Sequence, residues 1–331
     1  MFDSICLGEV SEVAPGELQM INLPLPALYS QSPVSMPVTV VNGRRAGPVL
    51  FVSGGIHGDE INGVEIIRRL LNVEQIRQLK GALIAVPVVN VYGFVGQSRF
   101  LPDGRDLNRS FPGSEKGSMA ARLAETFMNE IVSKCTHGID LHTAPVGFDN
   151  FPQIRARVSD SKETERLACA FGSAVILNAE LHDGSLRHAA SDRNIPVMVY
   201  EAGEALRFDE VAIRAGVEGI LNVMRHLEML PGTKPTTPPS QPLIAKSSQW
   251  VRASQSGVLR AIATLGSRVE KGELIGRIAD PFGMCEEQVL ATSAGIIIGK
   301  TNLPLVYEGE ALFHIASFTE PDSAAEIVEH F

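Results

Sequence analysis

The chain has 331 residues, of which 44% are hydrophobic and 20% are charged, a balance typical of a folded protein with about two domains. The net charge of −9 argues against a nucleic-acid partner, because phosphate binding requires a basic surface. No run of about 18 apolar residues occurs, so the sequence predicts no membrane span.

The cysteines indicate a reduced protein. They are widely spaced and form no C-x-x-C pair, so we expect neither a disulfide framework nor a cysteine-ligated zinc site at Cys6, Cys135, Cys169 and Cys285. The first residues also lack the basic and long apolar regions of a signal peptide. These features predict a cytoplasmic protein, and they leave a homo-oligomer open.

The first predicted elements are strands. Residues 36–43 read as an edge strand that ends in an Asn-Gly turn. Residues 48–52 form an apolar run typical of a buried parallel strand, and residues 64–71 carry apolar side chains at helical spacing. The stretch between them, S-G-G-I-H-G-D-E-I-N-G over residues 53–63, is therefore a strand-to-helix turn. Open α/β sheets hold their ligands at such carboxyl ends of strands.

His57 and Glu60 lie on this turn. An imidazole and a carboxylate three residues apart can face the same space, and together they are half of a His₂-Glu zinc site. Short motifs also match by accident. Taken alone, the pair is better explained by a solvated histidine and a first-turn glutamate that the helix dipole favours. The other predicted strand ends therefore decide between the two interpretations.

A second apolar strand is predicted over residues 82–89, and a long polar loop rigidified by Pro and Gly follows over residues 98–113. Long loops in compact domains are usually functional or disordered, and the aromatic and Leu content of this one favours order. Residues 118–135 have the apolar face of a helix.

The next strand, predicted over residues 137–144, carries Asp140 and His142. Two residues apart on a strand, their side chains point to the same face. Metal-bound histidines usually donate their second ring N–H to a carboxylate or carbonyl, which Asp140 would accept. The remaining predicted elements of this part are a helix over 160–171, a polar loop over 181–188, a strand over 196–200 that ends at Glu201, and a helix over 208–230.

The composition changes at residues 231–242, which contain five prolines and predict an extended linker. Short strands and glycine turns follow, in two similar halves over residues 256–276 and 294–313. They resemble the barrel-sandwich of biotinyl and lipoyl carrier domains. Residues 280–287, where those carriers place a modified lysine, contain none. We therefore expect a structural module or a wall over the active site, not a carrier arm.

The predicted strand ends bring four candidate site residues together. His57, Glu60, His142 and Glu201 all follow predicted strands, and a parallel sheet would gather them on one edge. Three of them would bind a metal and one would remain free. Three protein ligands leave a position for water, which is the pattern of a catalytic zinc site. A free carboxylate could then act as a general base and acid.

The order of these motifs resembles the succinylglutamate desuccinylase/aspartoacylase family, whose enzymes are related to zinc carboxypeptidases. The motifs that carry the resemblance are His57-x-x-Glu60, Asp106-Leu-Asn108-Arg109, Asp140-Leu-His142 and Glu201-x-Gly203. The carboxyl-terminal module is similar to that of the predicted deacylase branch.

The resemblance implies an α/β fold with a zinc-carboxypeptidase-like mixed, mostly parallel sheet flanked by helices, and a small C-terminal all-β barrel-sandwich-like domain. The expected division is a catalytic domain over residues 1–230, the linker over 231–242 and the β-rich domain over 243–331.

The resemblance also implies roles for individual residues. One zinc ion per chain would be bound by His57, Glu60 and His142. Glu201 would be the general base and then the general acid. Glu204 is its rival, but Glu201 directly follows the apolar strand and matches the family's position.

Three further residues would contact the substrate. Arg99 would polarise the scissile carbonyl, for which a planar guanidinium is suited. Asn108 and Arg109 would hold a substrate carboxylate. The alternative for Arg109 is a structural ion pair with Asp106. The remaining polar side chains have no matched role: Asp59 would orient its loop, and His182 and His188 would be solvated.

The expected function is a metal-dependent deacylase that hydrolyses the amide of a small N-acyl amino acid or N-acyl amine. Water activated by zinc would attack the acyl carbonyl with Glu201 as base. One alternative is a zinc carboxypeptidase acting on short peptides. The other is an inactive homologue that only binds a ligand.

Overall fold

The structure, a computed structural model, describes residues 3–8, 11–159, 161–232 and 242–318. Most of the predicted linker, residues 233–241, lies outside the described residues, as do Asp160 and residues 319–331. Among the described residues, no helix is both long enough and apolar enough to span a membrane.

The strands are β1 (Ile5–Leu7), β2 (Ser11–Val13), β3 (Leu18–Leu25), β4 (Val34–Asn42), β5 (Val49–Gly54), β6 (Ala82–Val86), β7 (His137–Ala144), β8 (Phe148–Ala156), β9 (Val175–Asn178), β10 (Val197–Glu204), β11 (Leu243–Ala245), β12 (Ser247–Arg252), β13 (Gly257–Ala261), β14 (Arg268–Val269), β15 (Leu274–Ala279), β16 (Glu286–Leu290), β17 (Gly295–Thr301), β18 (Leu305–Val306) and β19 (Ala311–Ser317). The helices are α1 (Asn62–Leu71), α2 (Val91–Val95), α3 (Met119–Glu130), α4 (Lys162–Phe171), α5 (Leu186–Ser191) and α6 (Glu210–His226). Short 3₁₀ turns cover Glu74–Gln78, Leu107–Arg109 and Val132–Lys134.

A mixed sheet of 13 described strands forms the centre of the fold. Its central strands run in the order β10-β7-β5-β6, and each of these neighbouring pairs is parallel. Helices cover both faces. Along β5, Phe51 points into one core with α3, while Leu50 and Val52 point into the other with α1 and α6. Successive side chains of a strand face opposite ways, so an all-apolar strand needs a core on each side. The predicted α/β class with a mixed sheet is confirmed.

The predicted edge position of β4 is wrong. β4 lies between β6 and β3, and the eight residues of β3 pair antiparallel with it from Leu18↔Val41 to Leu25↔Val34. Our sequence analysis did not identify β3, whose three exposed first residues conceal its alternation. Residues 39–41 of β4 are therefore paired on both sides, whereas residues 34–38 pair only with β3 among the described strands.

Several element boundaries also differ. The predicted strand over 82–89 ends at Val86, and the predicted helix over 118–135 ends at Glu130 before a 3₁₀ turn. The predicted loop over 181–188 runs into helix α5, which Ser185 caps by accepting a hydrogen bond from the His188 amide. The largest omission is β8, which lies antiparallel to β10 on the side away from β7.

The carboxyl-terminal part is built of antiparallel strands, as expected for a β-rich module. β16, β15, β13 and β18 form a separate four-stranded sheet, packed over β17 and β19 around a core that includes Leu259, Ile278 and Phe313. The module also joins the central sheet directly, because β17 pairs with β8 and β11 pairs with β9. The proposed division into domains at residues 231–242 stays a prediction.

Candidate active site

The turn that carries His57 is held tightly against a neighbouring loop. β5 ends at Gly54 and α1 begins at Asn62, so His57 and Glu60 stand at the carboxyl end of a central parallel strand. A Cβ atom at Gly58 would lie only 1.9 Å from the backbone carbonyl carbon of Gly93. The turn can therefore approach α2 only because residue 58 has no side chain.

We expect the substitution Gly58→Ala to displace this turn and to destabilise the fold by about 1–3 kcal/mol, the usual cost of overpacking. Bound metal and activity should fall with it, because His57 and Glu60 flank the displaced residue. Thermal unfolding and metal content measure the two effects. Gly232→Ala is the matched control for the size change, since a Cβ atom there meets nothing within 4 Å and the backbone is not left-handed. A Gly58→Ala protein with wild-type stability would contradict this account.

His57, Glu60 and His142 converge in the structure. The Nδ1 atoms of His57 and His142 lie 2.6 and 2.7 Å from the two carboxylate oxygens of Glu60. All three side chains are buried, and one ligand atom from each lies within 4.8 Å of the others. The cause is topological, because β5 and β7 are parallel neighbours that end at the same edge of the sheet.

Each imidazole has a second partner that fixes its ring. Nε2 of His142 lies 2.6 Å from Asp140, whose other oxygen accepts a hydrogen bond of 2.8 Å from the Ser53 hydroxyl. Nε2 of His57 lies 3.1 Å from Asp106. The carboxylate expected beside His142 is therefore present, while the one beside His57 was not expected.

The electrostatic field around His57, Glu60 and His142 favours positive charge. Burial lowers the pKa of His57 and of His142, but the carboxylates beside them outweigh burial and raise both pKa values above the ordinary range. Burial likewise opposes the charge of Glu60, yet the two imidazoles keep the pKa of this carboxyl well below its usual value. The field that attracts protons to the imidazoles would also attract a divalent cation.

The donor set fits a metal ion of the zinc type. Two imidazole nitrogens and one carboxylate, with acidic partners behind the imidazoles, are the ligands and supports of catalytic zinc sites. The three ligand atoms already lie close enough together to share one ion. Among the described residues, the candidate group consists of two histidines and one glutamate.

Glu201 opens into the same cavity, on the next strand of the sheet. β10 is parallel to β7, and its residue Glu201 pairs in register with His142. The Glu201 carboxylate accepts a hydrogen bond of 2.8 Å from Asn150, and its other oxygen lies 3.7 Å from Nε of Arg155. Both partners come from β8, the strand that our sequence analysis missed.

The cavity has a volume of about 480 Å³. Its walls contain the three clustered residues and Glu201, together with all of the residues expected to contact substrate: Arg99, Asn108 and Arg109. Arg99 bonds to Glu60 at 3.3 Å and to Asp106 at 3.0 Å. Asn108 uses its side-chain oxygen to accept from the Leu186 amide, at 2.9 Å.

The structure also places the rival residues. Asp106 pairs with Arg99 and His57. Among the described residues, these are its ion-pair partners, and the ion pair considered between Asp106 and Arg109 is not observed. Glu204 accepts from Gly147 and Asn302 and is not among the described residues that line the cavity. His182 lines the cavity and is exposed, as expected of a solvated residue, and His188 is partly exposed near Asp183.

Several cavity residues escaped our sequence analysis. Arg187 is buried in the wall, where it donates to the carbonyls of Ala179 and Glu180, and burial lowers its pKa to about 10. Nε of Arg155 is buried and donates no hydrogen bond to a described residue. Trp250, from the carboxyl-terminal module, lines the cavity with Phe148. The one available signal was the N-x-P-Q-I-R segment after His142, where polar residues interrupt a short apolar pattern.

Comparison with known proteins accounts for this geometry. Residues 46–227, more than half of the chain, match the model of the succinylglutamate desuccinylase/aspartoacylase catalytic domain. The chain belongs to the succinylglutamate desuccinylase/aspartoacylase family. The predicted family is thereby confirmed, and the matched residues include the whole cluster and Glu201.

Relatives in this family extend the match beyond the catalytic domain. An N-alpha-acetyl-L-2,4-diaminobutyric acid deacetylase from Halomonas elongata is 29% identical over 300 residues, which are 87% of each chain. A succinylglutamate desuccinylase from Pseudomonas aeruginosa is 32% identical over 162 residues, which are 43% of this chain and 47% of the relative. Both relatives are named as deacylases, so the family is one of hydrolases that remove acyl groups.

Solved structures of the family share the fold. A succinylglutamate desuccinylase/aspartoacylase from Rhodobacter sphaeroides is 26% identical with a TM-score of 0.80, and the match covers 91% of this chain and 96% of that one. The ectoine utilization protein EutE (DoeB) from Ruegeria pomeroyi matches with a TM-score of 0.80 at 24% identity over 91% and 95% of the two chains. The family fold thus includes the carboxyl-terminal module.

Proposed function

We propose that this protein is a zinc-dependent deacylase that hydrolyses the amide bond of a small N-acyl amino acid. The observation that carries the proposal is the convergence of His57, Glu60 and His142 beside Glu201, in one cavity of the catalytic domain. Family membership supports the deacylase class, and the donor set supports zinc.

His57, Glu60 and His142 would hold the zinc ion. When bound, zinc supplies Lewis acidity, which polarises a carbonyl and makes water a nucleophile near neutral pH. Asp140 and Asp106 keep the two imidazoles oriented, because each lies beside the ring nitrogen that faces away from Glu60.

Glu201 would move the protons of the reaction. It takes a proton from the water that adds to the acyl carbon, and it delivers a proton to the amine nitrogen as the C–N bond breaks. The products are a carboxylic acid and a free amine. Asn150 restrains one oxygen of Glu201 at 2.8 Å, and the other oxygen, 3.7 Å from Nε of Arg155, would accept and return the proton.

The arginines would bind and polarise the substrate. Glu60 and Asp106 anchor Arg99, whose guanidinium would stabilise the negative charge that develops on the carbonyl oxygen. Asn108 and Arg109 would hold the carboxylate of the amino acid. Arg155, whose Nε atom lies 3.7 Å from the Glu201 carboxylate, would help to hold that carboxylate in position.

A carboxypeptidase acting on short peptides would use the same residues. Family membership disfavours this alternative, because relatives of the chain are named as a deacetylase and a desuccinylase. An inactive ligand-binding homologue is disfavoured in turn by the presence of Arg99 and Glu201 beside the cluster.

Metal content and hydrolysis, measured on one purified sample, test the proposal. We expect about one zinc ion per chain. We also expect release of free amine from members of a panel of N-acetyl and N-succinyl amino acids, including N-alpha-acetyl-2,4-diaminobutyrate. Dipeptides in the same panel should be poor substrates. Turnover of peptides alone would favour the carboxypeptidase, and a zinc-loaded protein without any turnover would reject the deacylase.

A further inference from the structure

One part of the cavity wall is aromatic. Among the described residues that line the cavity, Phe148 and Trp250 are the phenylalanine, tyrosine or tryptophan side chains, and their rings are in contact; Ala311 is also a lining residue. Phe148 begins β8, whereas Trp250 and Ala311 belong to β12 and β19 of the carboxyl-terminal module. The wall is therefore assembled from both parts of the chain.

Trp250 is held by two ring contacts. Its indole stacks on the imidazole of His314, with ring centres 4.5 Å apart and planes 10° apart, and it meets the Phe148 ring edge-on at 6.0 Å. His314 is its register partner on β19. Burial, and then the charge of Arg155, lower the pKa of His314 to about 4. A neutral imidazole thus supports the indole from behind at neutral pH.

The wall is also fixed relative to Glu201. β8 pairs with β10 through Gln153↔Glu201 and with β17 through Phe148↔Thr301, and β17 continues to β19 and β12. Continuous backbone hydrogen bonding therefore links the strand of Glu201 to the strand of Trp250. The backbone that carries Trp250 is therefore fixed relative to Glu201, and the ring contacts with His314 and Phe148 orient the indole.

We propose that Trp250 sets the size limit for the acyl group of the substrate. The inference rests on the proposed deacylase function and adds the residue that selects the acyl chain. The amino-acid part of the substrate carries a carboxylate and requires the polar side of the cavity with Asn108 and Arg109. The apolar part is the acyl chain, and the aromatic wall is the apolar surface that complements it. An acyl chain longer than the space before the indole would collide with it.

The test is a series of acetyl, butyryl and hexanoyl derivatives of one amino acid, assayed with wild-type protein and with Trp250→Ala. In the wild type, kcat/KM should fall steeply with acyl length. For Trp250→Ala, we divide kcat/KM for the hexanoyl substrate by kcat/KM for the acetyl substrate. This ratio should be about tenfold or more above the wild-type ratio, because room for a few methylenes in a pocket changes the relative kcat/KM of two substrates by at least that factor. Trp250→Phe, a smaller truncation, should give an intermediate ratio.

Two controls make the result specific. Tyr307→Ala removes an aromatic side chain of the same module that is 74% exposed, and it should keep the wild-type ratio. A second series, with the acetyl group fixed and the amino-acid side chain enlarged, should respond equally in wild type and Trp250→Ala. Thermal unfolding of each variant checks that it is folded.

The outcomes separate the two proposals. The wild type could hydrolyse the series while every folded variant shows the same acyl preference as the wild type. That result would overturn the role of Trp250 and leave the deacylase function intact. A Trp250→Ala effect on the amino-acid series, and not on the acyl series, would also overturn it. A wild type that hydrolyses no N-acyl amino acid would reject the proposed function, and the inference with it.

Discussion

Replacing Glu201 with Gln is expected to lower kcat about 10²- to 10⁴-fold, the usual contribution of a positioned general acid and base. The amide of Gln cannot take up the proton of the attacking water, although it retains the shape of the carboxylate and can still bond to Asn150. Metal content should remain that of the wild type, because Glu201 is not one of the three clustered residues. Steady-state kinetics and metal analysis on the same sample measure both quantities.

Glu204→Gln is the matched control for the loss of charge. Glu204 ends the same strand and accepts from the Gly147 amide and the Asn302 side chain, but it is not among the described residues that line the cavity. This variant should hydrolyse the substrate at nearly the wild-type rate. If Glu201→Gln were as active as Glu204→Gln, Glu201 could not be the base.

His142→Ala is expected to remove both the metal and the activity. The substitution deletes one of the three proposed ligands and leaves Asp140 and Glu60 buried without the imidazole that each now contacts. Breaking a buried pair in this way costs about 3–5 kcal/mol of stability. Metal analysis should find less zinc, and the thermal unfolding temperature should fall.

Added zinc distinguishes a metal site from a purely structural cluster. A ligand that binds only the folded state stabilises it by about 2.7 kcal/mol at a concentration 100 times its Kd. Zinc should therefore raise the unfolding temperature of the metal-stripped wild type and not that of His142→Ala. His188→Ala, which removes a partly exposed histidine, should respond as the wild type does. Equal zinc stabilisation of all three proteins would refute a metal site at His142.

The meeting of His57, Glu60 and His142 could be predicted because each of them lies at or near the carboxyl end of a recognisable strand. β5 is a buried and mostly apolar run before His57, whereas β7 is buried but mixes polar and apolar residues and carries His142 near its end. Parallel neighbours then bring their carboxyl ends to one edge, whatever the connections between them. The position of Glu201 at the end of β10 follows from the same rule.

β8 could not be predicted in this way. Its sequence, F-D-N-F-P-Q-I-R-A, contains Pro152 and shows no regular alternation, and a proline normally argues against a central strand. In the structure it is central all the same, with β10 on one side and β17 and β9 on the other. Missing this strand meant missing Asn150 and Arg155 beside Glu201.

The place of Trp250 was beyond sequence reasoning for a different reason. Its approach to the cavity depends on a series of pairings, β12 with β19, β19 with β17 and β17 with β8, between segments far apart in the chain. No local pattern in the sequence around Trp250 encodes this register. The sequence did indicate a module that could form a wall, but not which side chain would face the substrate.

The pairing of β8 with β17 has a consequence for how the protein is made. β8 leaves the ribosome well before β17 has been synthesised, because β17 begins at Gly295 and β8 ends at Ala156. Until then, part of one edge of β8 has no partner, and unpaired edges invite association with other chains. Pairings between such distant segments also form slowly. Completion of the substrate cavity is therefore a late folding event that awaits the last strands of the chain.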